Sequence, residues 1–321
     1  MAVVMDKLNA KFQTVHDYLA SLPKFGGNNF LTKAQQAYVN QDYETCLTLL
    51  EGSLEKSSNP SELRSLMGLC QDKLGCPEEA IESFKTSLQE NIDNVDCLYN
   101  IARLYAQQEQ PEVALGYIEF AETTLGENAD EALSYLKATV LEDLRRPEDS
   151  IAILENLIVQ NPEASYLRYL GELYMLNTDF EKAIPMLEQL LEDYPDDIET
   201  LSILSKTLGK LARWDETITH CRHILDLYPG YPEACNQIGL AMYAQENYEE
   251  AISYYEQALA QDPDFALVLN NLGYCYMKKD RYDKAQDSFF KYKKLLKSDS
   301  PELEEVEIQL QFIEAKIAAA E

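Results

Sequence analysis

The chain has 321 residues, of which 56 are Asp or Glu and 27 are Lys or Arg, so its formal net charge at pH 7 is −29. This charge repels nucleic-acid phosphates and anionic membrane surfaces, which excludes both as favoured partners. Hydrophobic residues make up 46% of the chain and aromatic residues 10%, which is typical of a folded globular protein and not of a disordered acidic chain.

The first predicted element is an amphipathic helix at about residues 5–22. Its apolar face carries Leu8, Phe12, Val15, Leu19 and Leu22 at helical spacing. Residues 23–29 contain one Pro and two Gly, and we interpret them as a hinge or a plain connector. We expect no exported signal segment here and no membrane insertion, since no apolar run approaches the roughly 18 residues of a membrane span.

A repeat governs the chain from residue 27 onward. Small residues return at separations of 34, 34, 36, 33, 34, 34 and 34, at Cys46, Ala80, Ala114, Ser150, Ala183, Thr217, Ala251 and Ala285. Large aromatic residues or Pro stand three positions earlier, and mostly Gly, Ala or Ser stand twelve positions earlier. Apolar residues recur at i, i+3, i+4 and i+7 twice within each unit, around a short polar turn, which indicates two helices per unit.

These columns resemble the tetratricopeptide repeat (TPR) pattern. That pattern consists of a large apolar residue, a Leu-Gly pair, an aromatic residue, Tyr-x-x-Ala and a late Pro. It is kept best at Leu269, Leu272, Gly273, Tyr276, Tyr282 and Ala285. It recurs at Leu167, Leu170, Gly171, Tyr174, Phe180, Ala183 and Pro195. The first repeat departs from the pattern with Lys33 at the Leu column. The fourth departs with Ser134 and Leu157 in place of the usual large and small residues.

The resemblance implies an all-α fold, a right-handed α-solenoid of about eight helix-turn-helix repeats with capping helices at both ends. We expect residues 1–26 to form the N-terminal helix and hinge, and residues 300–321 to form a C-terminal capping helix. The repeats are predicted at 27–60, 61–94, 95–130, 131–163, 164–197, 198–231, 232–265 and 266–299. The capping helix would cover the last repeat with Leu303, Val306, Leu310, Ile313 and Ile317.

The glycine column predicts a close approach of the two helices within a repeat. Gly68, Gly171, Gly239 and Gly273 occupy it, and a larger side chain there would hold the helices apart. We therefore expect replacement of one of them by Leu to cost about 1–3 kcal/mol of stability.

The resemblance also implies where a partner binds. In this family the first helix of each repeat, helix A, lines the concave surface and meets ligands through a few fixed positions. Those positions hold Tyr99, Asn100, Arg103, Tyr135, Arg168, Tyr169, Lys206, Lys210, Asn236, Asn270, Asn271, Tyr274 and Lys278 in this sequence.

This row of basic, aromatic and amide side chains suggests a groove for a peptide or helix that carries acidic groups. Tyr and Arg concentrate binding energy at interfaces, and an Asn amide can pair with an extended backbone. We expect the double change of Arg168 and Lys206 to Glu to weaken such a partner while the stability changes by less than about 0.5 kcal/mol. The spacing of Lys and Asn needed for a TPR carboxylate clamp is absent.

The function predicted from the sequence is thus a non-enzymatic scaffold or adaptor for protein–protein interaction. One alternative is a structural subunit of a larger assembly or homo-oligomer that packs through Tyr254, Phe290 and Tyr292 on the second helices. Another is a ligand-regulated sensor with a mobile N-terminal helix. No catalytic motif for nucleotides, esters or metal-dependent proteolysis occurs.

Metal and redox chemistry are not expected. The seven Cys are scattered without a C-x-x-C pair, which predicts free thiols and a reducing, cytoplasmic compartment. His220, His223 and Asp226 lie at i, i+3 and i+6, and we interpret them as an exposed helix face without a metal. We expect no cofactor.

Overall fold

The structure is a computed structural model that describes residues 29–54, 57, 59–126 and 130–319. The helix predicted at 5–22 and residues 23–28 of the predicted hinge lie outside the described residues. Within the described residues the chain forms 17 α-helices and no strand, which confirms the all-α fold class. The helices are α1 (Asn29–Val39), α2 (Tyr43–Leu54), α3 (Pro60–Lys73), α4 (Pro77–Glu90), α5 (Val95–Gln107), α6 (Pro111–Leu125), α7 (Glu131–Asp143), α8 (Pro147–Gln160), α9 (Ala164–Leu176), α10 (Phe180–Asp193), α11 (Ile198–Lys210), α12 (Trp214–Leu227), α13 (Pro232–Ala244), α14 (Tyr248–Gln261), α15 (Ala266–Lys278), α16 (Tyr282–Leu295) and α17 (Glu302–Ala318).

Helices α1 to α16 alternate between the two members of a pair, and we call the odd-numbered ones A helices and the even-numbered ones B helices. The B helices α4, α6 and α8 begin at Pro77, Pro111 and Pro147, because Pro is favoured at the first helical position. Side-chain capping bonds occur mainly on A helices, where Asn94 and Asp197 accept from backbone N–H groups three residues later.

One turn geometry joins each described A helix to its B helix. The second residue after the A helix has a positive φ, at Gln41, Gly75, Glu109, Arg145, Thr178, Ala212, Glu246 and Asp280. The N–H of the following residue then bonds to a carbonyl five residues back, as from Asn247 to Met242 at 2.9 Å. This bond closes the end of the helix in the Schellman manner. The turn recurs at the predicted period, while the eight repeat boundaries stay a prediction.

The predicted close approach within a helix pair is confirmed at the glycine column. A β-carbon built on Gly239 would lie 2.5 Å from Cε1 of Tyr255, and one built on Gly273 would lie 2.7 Å from the ring of Phe289. These distances are shorter than real carbon contacts. At Gly239 and Gly273 the A helix can therefore approach its B helix this closely only because the side chain is absent.

The chain divides into two compact units, residues 1–165 and 166–321. In the first unit, apolar clusters form where each helix pair meets the next A helix, for example Leu98 of α5 with Ile118 of α6 and Leu136 of α7. In the second unit, one continuous cluster extends from Leu201 of α11 to Ile313 of α17. No single pair encloses its own core in these clusters, since each takes residues from neighbouring pairs.

The C-terminal helix α17 covers the last pair, as predicted. Val306, Leu310 and Ile313 are buried, and Ile317 packs against the same cluster. The opposite face of α17 leaves Ile308 56% exposed and Phe312 46% exposed, which the sequence interpretation did not single out. This helix therefore closes the core with one face and presents apolar side chains on the other.

The described cysteines are free, and only Cys76 is not fully buried. Among the described residues, no helix combines the length and the apolar character needed to cross a bilayer. No set of three or more His, Cys, Asp or Glu in this part of the chain is arranged to hold a metal ion.

The hydroxyl of Tyr255 is buried in the second unit without a hydrogen-bond partner. We expect Tyr255→Phe to raise the free energy of unfolding by about 1 kcal/mol, because the variant keeps the ring and removes an unsatisfied polar group. Urea denaturation followed by circular dichroism measures the change. Tyr276→Phe is the matched control, since the Tyr276 hydroxyl donates to Glu256 at 2.7 Å and its loss should not stabilise. A lower midpoint for Tyr255→Phe would contradict the prediction.

Candidate functional site

The predicted partner-binding residues all lie on A helices, from α5 to α15. We call these positions, taken within each unit by itself, the A-helix face of that unit. The structure buries six of these side chains: Tyr99, Asn100, Arg103, Tyr135, Tyr169 and Asn236. Five are half-buried, namely Arg168, Lys206, Asn270, Asn271 and Tyr274, and two are exposed, Lys210 and Lys278. The buried members are each at most 8% exposed, so the accessible part of the face is smaller than the sequence suggests.

In the first unit, Arg103 is taken up by contacts inside the chain. Its guanidinium donates to Asp72 at 2.6 Å and to the Asn100 amide oxygen at 3.4 Å. Asn100 donates in turn to the backbone oxygen of Asp96 at 2.8 Å. Burial raises the pKa of Tyr99 to about 12, against the opposing effect of Arg103, so its hydroxyl stays protonated at neutral pH. This group of side chains is a stabilising network within the fold.

Arg168 forms a similar network in the second unit. Its guanidinium donates to Asp197 at 2.8 Å and to Glu199 at 2.7 Å, and its side chain is only 13% exposed. Asp197 also caps α11 by accepting from the N–H of Thr200. Arg168 therefore ties α9 to the start of α11. The expectation that its reversal to Glu leaves stability unchanged does not fit this geometry.

The amides of the second unit form a contact between neighbouring A helices. Asn271 on α15 donates to the side-chain oxygen of Asn236 on α13 at 3.2 Å. Asn236 is 3% exposed, whereas Asn270 and Asn271 keep part of their surface accessible. The pair fixes the spacing of the two helices, and the partly open amides lie beside it.

Tyr274 is engaged by the C-terminal helix. Its hydroxyl donates to Glu305 of α17 at 2.7 Å, and its ring meets Phe289 edge-on with centroids 5.2 Å apart. Burial, then the hydrogen bond to Glu305, raises the pKa of Tyr274. The capping helix thus occupies one of the predicted partner positions.

Lys206, Lys210 and Lys278 differ from the arginines. None of them forms an ion pair with another residue in the described part of the chain, and two of them are exposed. Their charges are therefore available to a partner molecule that binds to the second unit.

The second helices carry the aromatic residues that the sequence suggested for self-assembly. Phe290 is 42% exposed, Tyr254 is half-buried, and Tyr292 is buried at 8%. The choice of Tyr292 as a residue that packs against another subunit is wrong, because its ring belongs to the core that α17 covers.

The predicted histidine face contains one specific contact. The Nε2 atom of His223 lies 2.8 Å from a carboxylate oxygen of Asp196. Burial lowers the pKa of the neighbouring His220, against the raising effect of Glu188 and Glu216. The contact of His223 thus joins α12 to the turn between α10 and α11.

The sequence interpretation missed the acidic partners of the two arginines. Asp72 precedes Arg103 by 31 residues, and Glu199 follows Arg168 by 31 residues. Both separations are close to one repeat, so they connect the same face of adjacent A helices. A carboxylate and an arginine that lie nearly one repeat length apart in the sequence, on A helices, are the signal that could have revealed these ion pairs.

Two family models described as tetratricopeptide repeat match the chain, at residues 135–198 and 242–302. Among curated proteins, DnaJ homolog subfamily C member 3 from Gallus gallus is 33% identical over 87 residues, which is 27% of this chain and 17% of that protein. A TPR repeat-containing protein of Methanocaldococcus jannaschii is 24% identical over 215 residues, 64% of this chain and 38% of that protein. The chain therefore spans less than half of the length of these relatives.

Solved structures with the same fold include the C-terminal part of a TPR repeat-containing protein from Cytophaga hutchinsonii. It has a TM-score of 0.63 and 14% identity, and the match covers 75% of this chain and 99% of that one. YrrB, described as a TPR protein with an unusual peptide-binding site, has a TM-score of 0.51 and 20% identity over 59% of this chain and 97% of its own. The two family models and the recurring helix pairs thus identify the chain as a protein that contains tetratricopeptide repeats, and these solved structures share its fold.

Proposed function

We propose that this protein is a non-enzymatic scaffold that binds a peptide or helical segment of another protein along the A-helix face of residues 166–321. TPR proteins generally mediate protein–protein interactions, and the fold is typically a non-catalytic interaction scaffold. The preferred partner segment carries acidic groups. Residues of the first unit are not needed for this binding.

One observation carries the proposal. Lys206, Lys210 and Lys278 stand on A helices without internal ion pairs in the described chain, although acidic residues outnumber basic ones by about two to one. An ammonium group that is not neutralised within the fold keeps its full attraction for a carboxylate on a partner. The half-buried amide of Asn270 and the accessible part of Asn271 supply donors and acceptors for a peptide backbone beside them.

The preference of the proposed site for an acidic partner depends on these three lysines. Arg103 and Arg168 are committed to Asp72, Asp197 and Glu199, so a partner would have to displace an internal carboxylate to use them. That exchange gains little, because one charge-assisted hydrogen bond replaces another. We therefore propose that the lysines recognise the partner and that the arginines hold neighbouring A helices in position.

We expect the triple change Lys206→Glu, Lys210→Glu and Lys278→Glu to weaken an acidic partner at least tenfold, since three attractive charges become repulsive. Peptides selected on the folded wild-type protein from a display library provide the probe, and fluorescence anisotropy measures their dissociation constants. The selected peptides should be enriched in Asp and Glu. Their affinity should fall as salt rises.

The matched control changes Lys291, Lys294 and Lys297 to Glu. These side chains are exposed on and after the B helix α16, and their reversal alters the net charge by the same amount. The control should bind within about twofold of the wild type. Equal losses in both variants would mean that net charge alone matters, and no loss in the first variant would place the site elsewhere.

A second candidate function, assembly through the C-terminal end, is supported by exposed apolar side chains. Phe290 of α16 is 42% exposed, and Ile308 and Phe312 of α17 are exposed at i, i+4 spacing. Sedimentation over a range of concentrations tests it. A protein that stays monomeric at about 1 mM contradicts assembly, while a dimer lost on Phe312→Ser supports it. A sensor role for the N-terminal helix stays a prediction, since that helix lies outside the described residues.

A further inference from the structure

A surface cavity of about 300 Å³ lies in the first unit, and none of the predicted partner-binding residues lines it. Three helices contribute to it: Glu122 from the end of α6, Ser134 and Lys137 from α7, and Asn156 and Gln160 from α8. Asn156 and Gln160 are exposed, so the cavity opens to solvent on this side. Its volume is at the lower end of the range for small-ligand pockets in proteins.

The cavity exists because two core columns of the repeat are polar in this pair. Ser134 and Lys137 occupy the positions that Leu98 and Ile101 hold in α5, where both side chains are buried. The same columns are again Leu in α9 and α11, at Leu167, Leu170, Leu201 and Leu204. A Ser cannot fill the volume of a Leu, and Lys137 extends its ammonium to the carboxylate of Glu122. The space between α7 and α8 therefore stays open.

The lysine in the cavity is already neutralised. The ammonium of Lys137 donates to both carboxylate oxygens of Glu122, at 2.9 and 2.7 Å. This pair bridges α6 and α7 and forms one wall of the cavity. The lysine is therefore satisfied within the fold, and an anion would have to displace Glu122 to reach it.

The remaining polar lining includes the carboxylate of Glu131 and the side-chain oxygens of Asn156 and Gln160. Glu131 accepts from Asn161 at 3.0 Å. Asn156 accepts from the Gln160 amide at 3.3 Å, and the side-chain oxygen of Gln160 takes no part in this bond. Residues 111–160 contain 11 acidic and 3 basic residues, so the field at the cavity attracts cations.

The other wall of the cavity is apolar. Ala152, Ile153 and Leu157 of α8 line it, and Leu157 is buried. An occupant therefore needs an aliphatic segment to cover this wall as well as a cationic group with several donors. A guanidinium on an aliphatic stem meets both needs, because it is planar, carries five N–H donors and is more weakly hydrated than an ammonium.

We infer that this cavity is a binding site for a guanidinium group on an aliphatic stem, as in an arginine side chain. The stem packs on the wall formed by α8, and the guanidinium donates to Glu131 and to the amide oxygens at the opening. The site does not depend on the A-helix face of the second unit. The guanidinium group belongs either to an arginine of a protein partner or to a free arginine-like compound.

Amide chemical shifts of the full-length protein, recorded by NMR during titration, test the site. The probes are agmatine and a blocked five-residue peptide with one arginine flanked by alanines. Both should shift the amides of residues 131–137 and 152–160. The same peptide with citrulline, which has the shape of arginine without its charge, should bind at least tenfold more weakly.

Two variants locate the binding. Ser134→Leu restores the side chain found in the neighbouring repeats, should fill the cavity and should reduce affinity at least tenfold, while Ser134→Ala keeps the space and should bind within twofold of the wild type. Glu131→Gln removes the charge without changing the shape and should also weaken binding. Circular dichroism and the unfolding midpoint check that each variant is folded.

The outcomes separate the alternatives. A peptide that binds at least tenfold more tightly than agmatine supports a protein partner, and equal affinities support a free compound; both support the site. Equal binding of the citrulline peptide, preferential binding of N-acetylaspartate, or unchanged affinity in both Ser134→Leu and Glu131→Gln would overturn the inference.

Discussion

Replacement of Gly239 by Leu is expected to lower the free energy of unfolding of the second unit by about 3 kcal/mol, at the upper end of the usual cost of overpacking. Even the first atom of a side chain here would lie 2.5 Å from the ring of Tyr255, which is fully buried. The ring cannot move aside, because it lies in a close-packed cluster that extends over several helix pairs. The two helices would therefore separate and lose contacts along their length.

The matched control is a helical glycine at which an added side chain would meet no other atom. A β-carbon added to Gly116 in α6 would have no atom within 4 Å, so Gly116→Ala should stabilise by about 0.5–1 kcal/mol through helix propensity. Combining Gly239→Leu with Tyr255→Ala should recover part of the loss by making room. Urea denaturation midpoints measure all three variants. Equal midpoints for Gly239→Leu and the wild type would refute close approach at this column.

Reversal of Arg168 to Glu is expected to cost about 2–4 kcal/mol of stability, because it removes two charge-assisted hydrogen bonds and places a third carboxylate beside Asp197 and Glu199. The Arg168 side chain is only 13% exposed, so water screens the new repulsion incompletely. Because Asp197 also caps α11, the start of that helix should fray as well. Chemical denaturation gives the magnitude, and amide hydrogen exchange at residues 198–202 reports the local effect.

Lys206→Glu is the control for the second prediction. It removes a positive charge from the same face without breaking an ion pair in the described chain, and it should change stability by less than about 0.5 kcal/mol. The double change at Arg168 and Lys206 would therefore lose partner binding partly through loss of structure. A neutral effect of Arg168→Glu on stability would return Arg168 to the partner-binding set.

The candidate site could be predicted from the sequence only in part. The repeat columns put Arg103 and Arg168 on A helices correctly, because helical periodicity decides which residues share a face. They could not predict that each arginine meets carboxylates one repeat away, because that depends on the offset between adjacent A helices. The lysines without internal ion pairs became recognisable as the available cations only when those contacts were known.

The cavity is a second case of partial prediction. The departure from the repeat pattern at Ser134 was visible in the sequence, but it could have been compensated by a larger neighbour such as Leu157. The structure instead has Leu157 buried as one wall, and the space next to Ser134 stays open. Packing decides this outcome, since a missing side chain leaves a cavity only where its surroundings do not close around it.

The sequence by itself determined the all-α fold, the period of the helix pairs, the glycine contacts and the buried face of α17. These features follow from residue spacing along one helix or between two neighbouring helices, where the geometry of the chain is nearly fixed. Tertiary structure alone decided which charges are neutralised, which aromatic rings are buried and where space remains. Those properties depend on distances between residues about 30 positions apart, which the packing of successive helices sets to within a few ångströms.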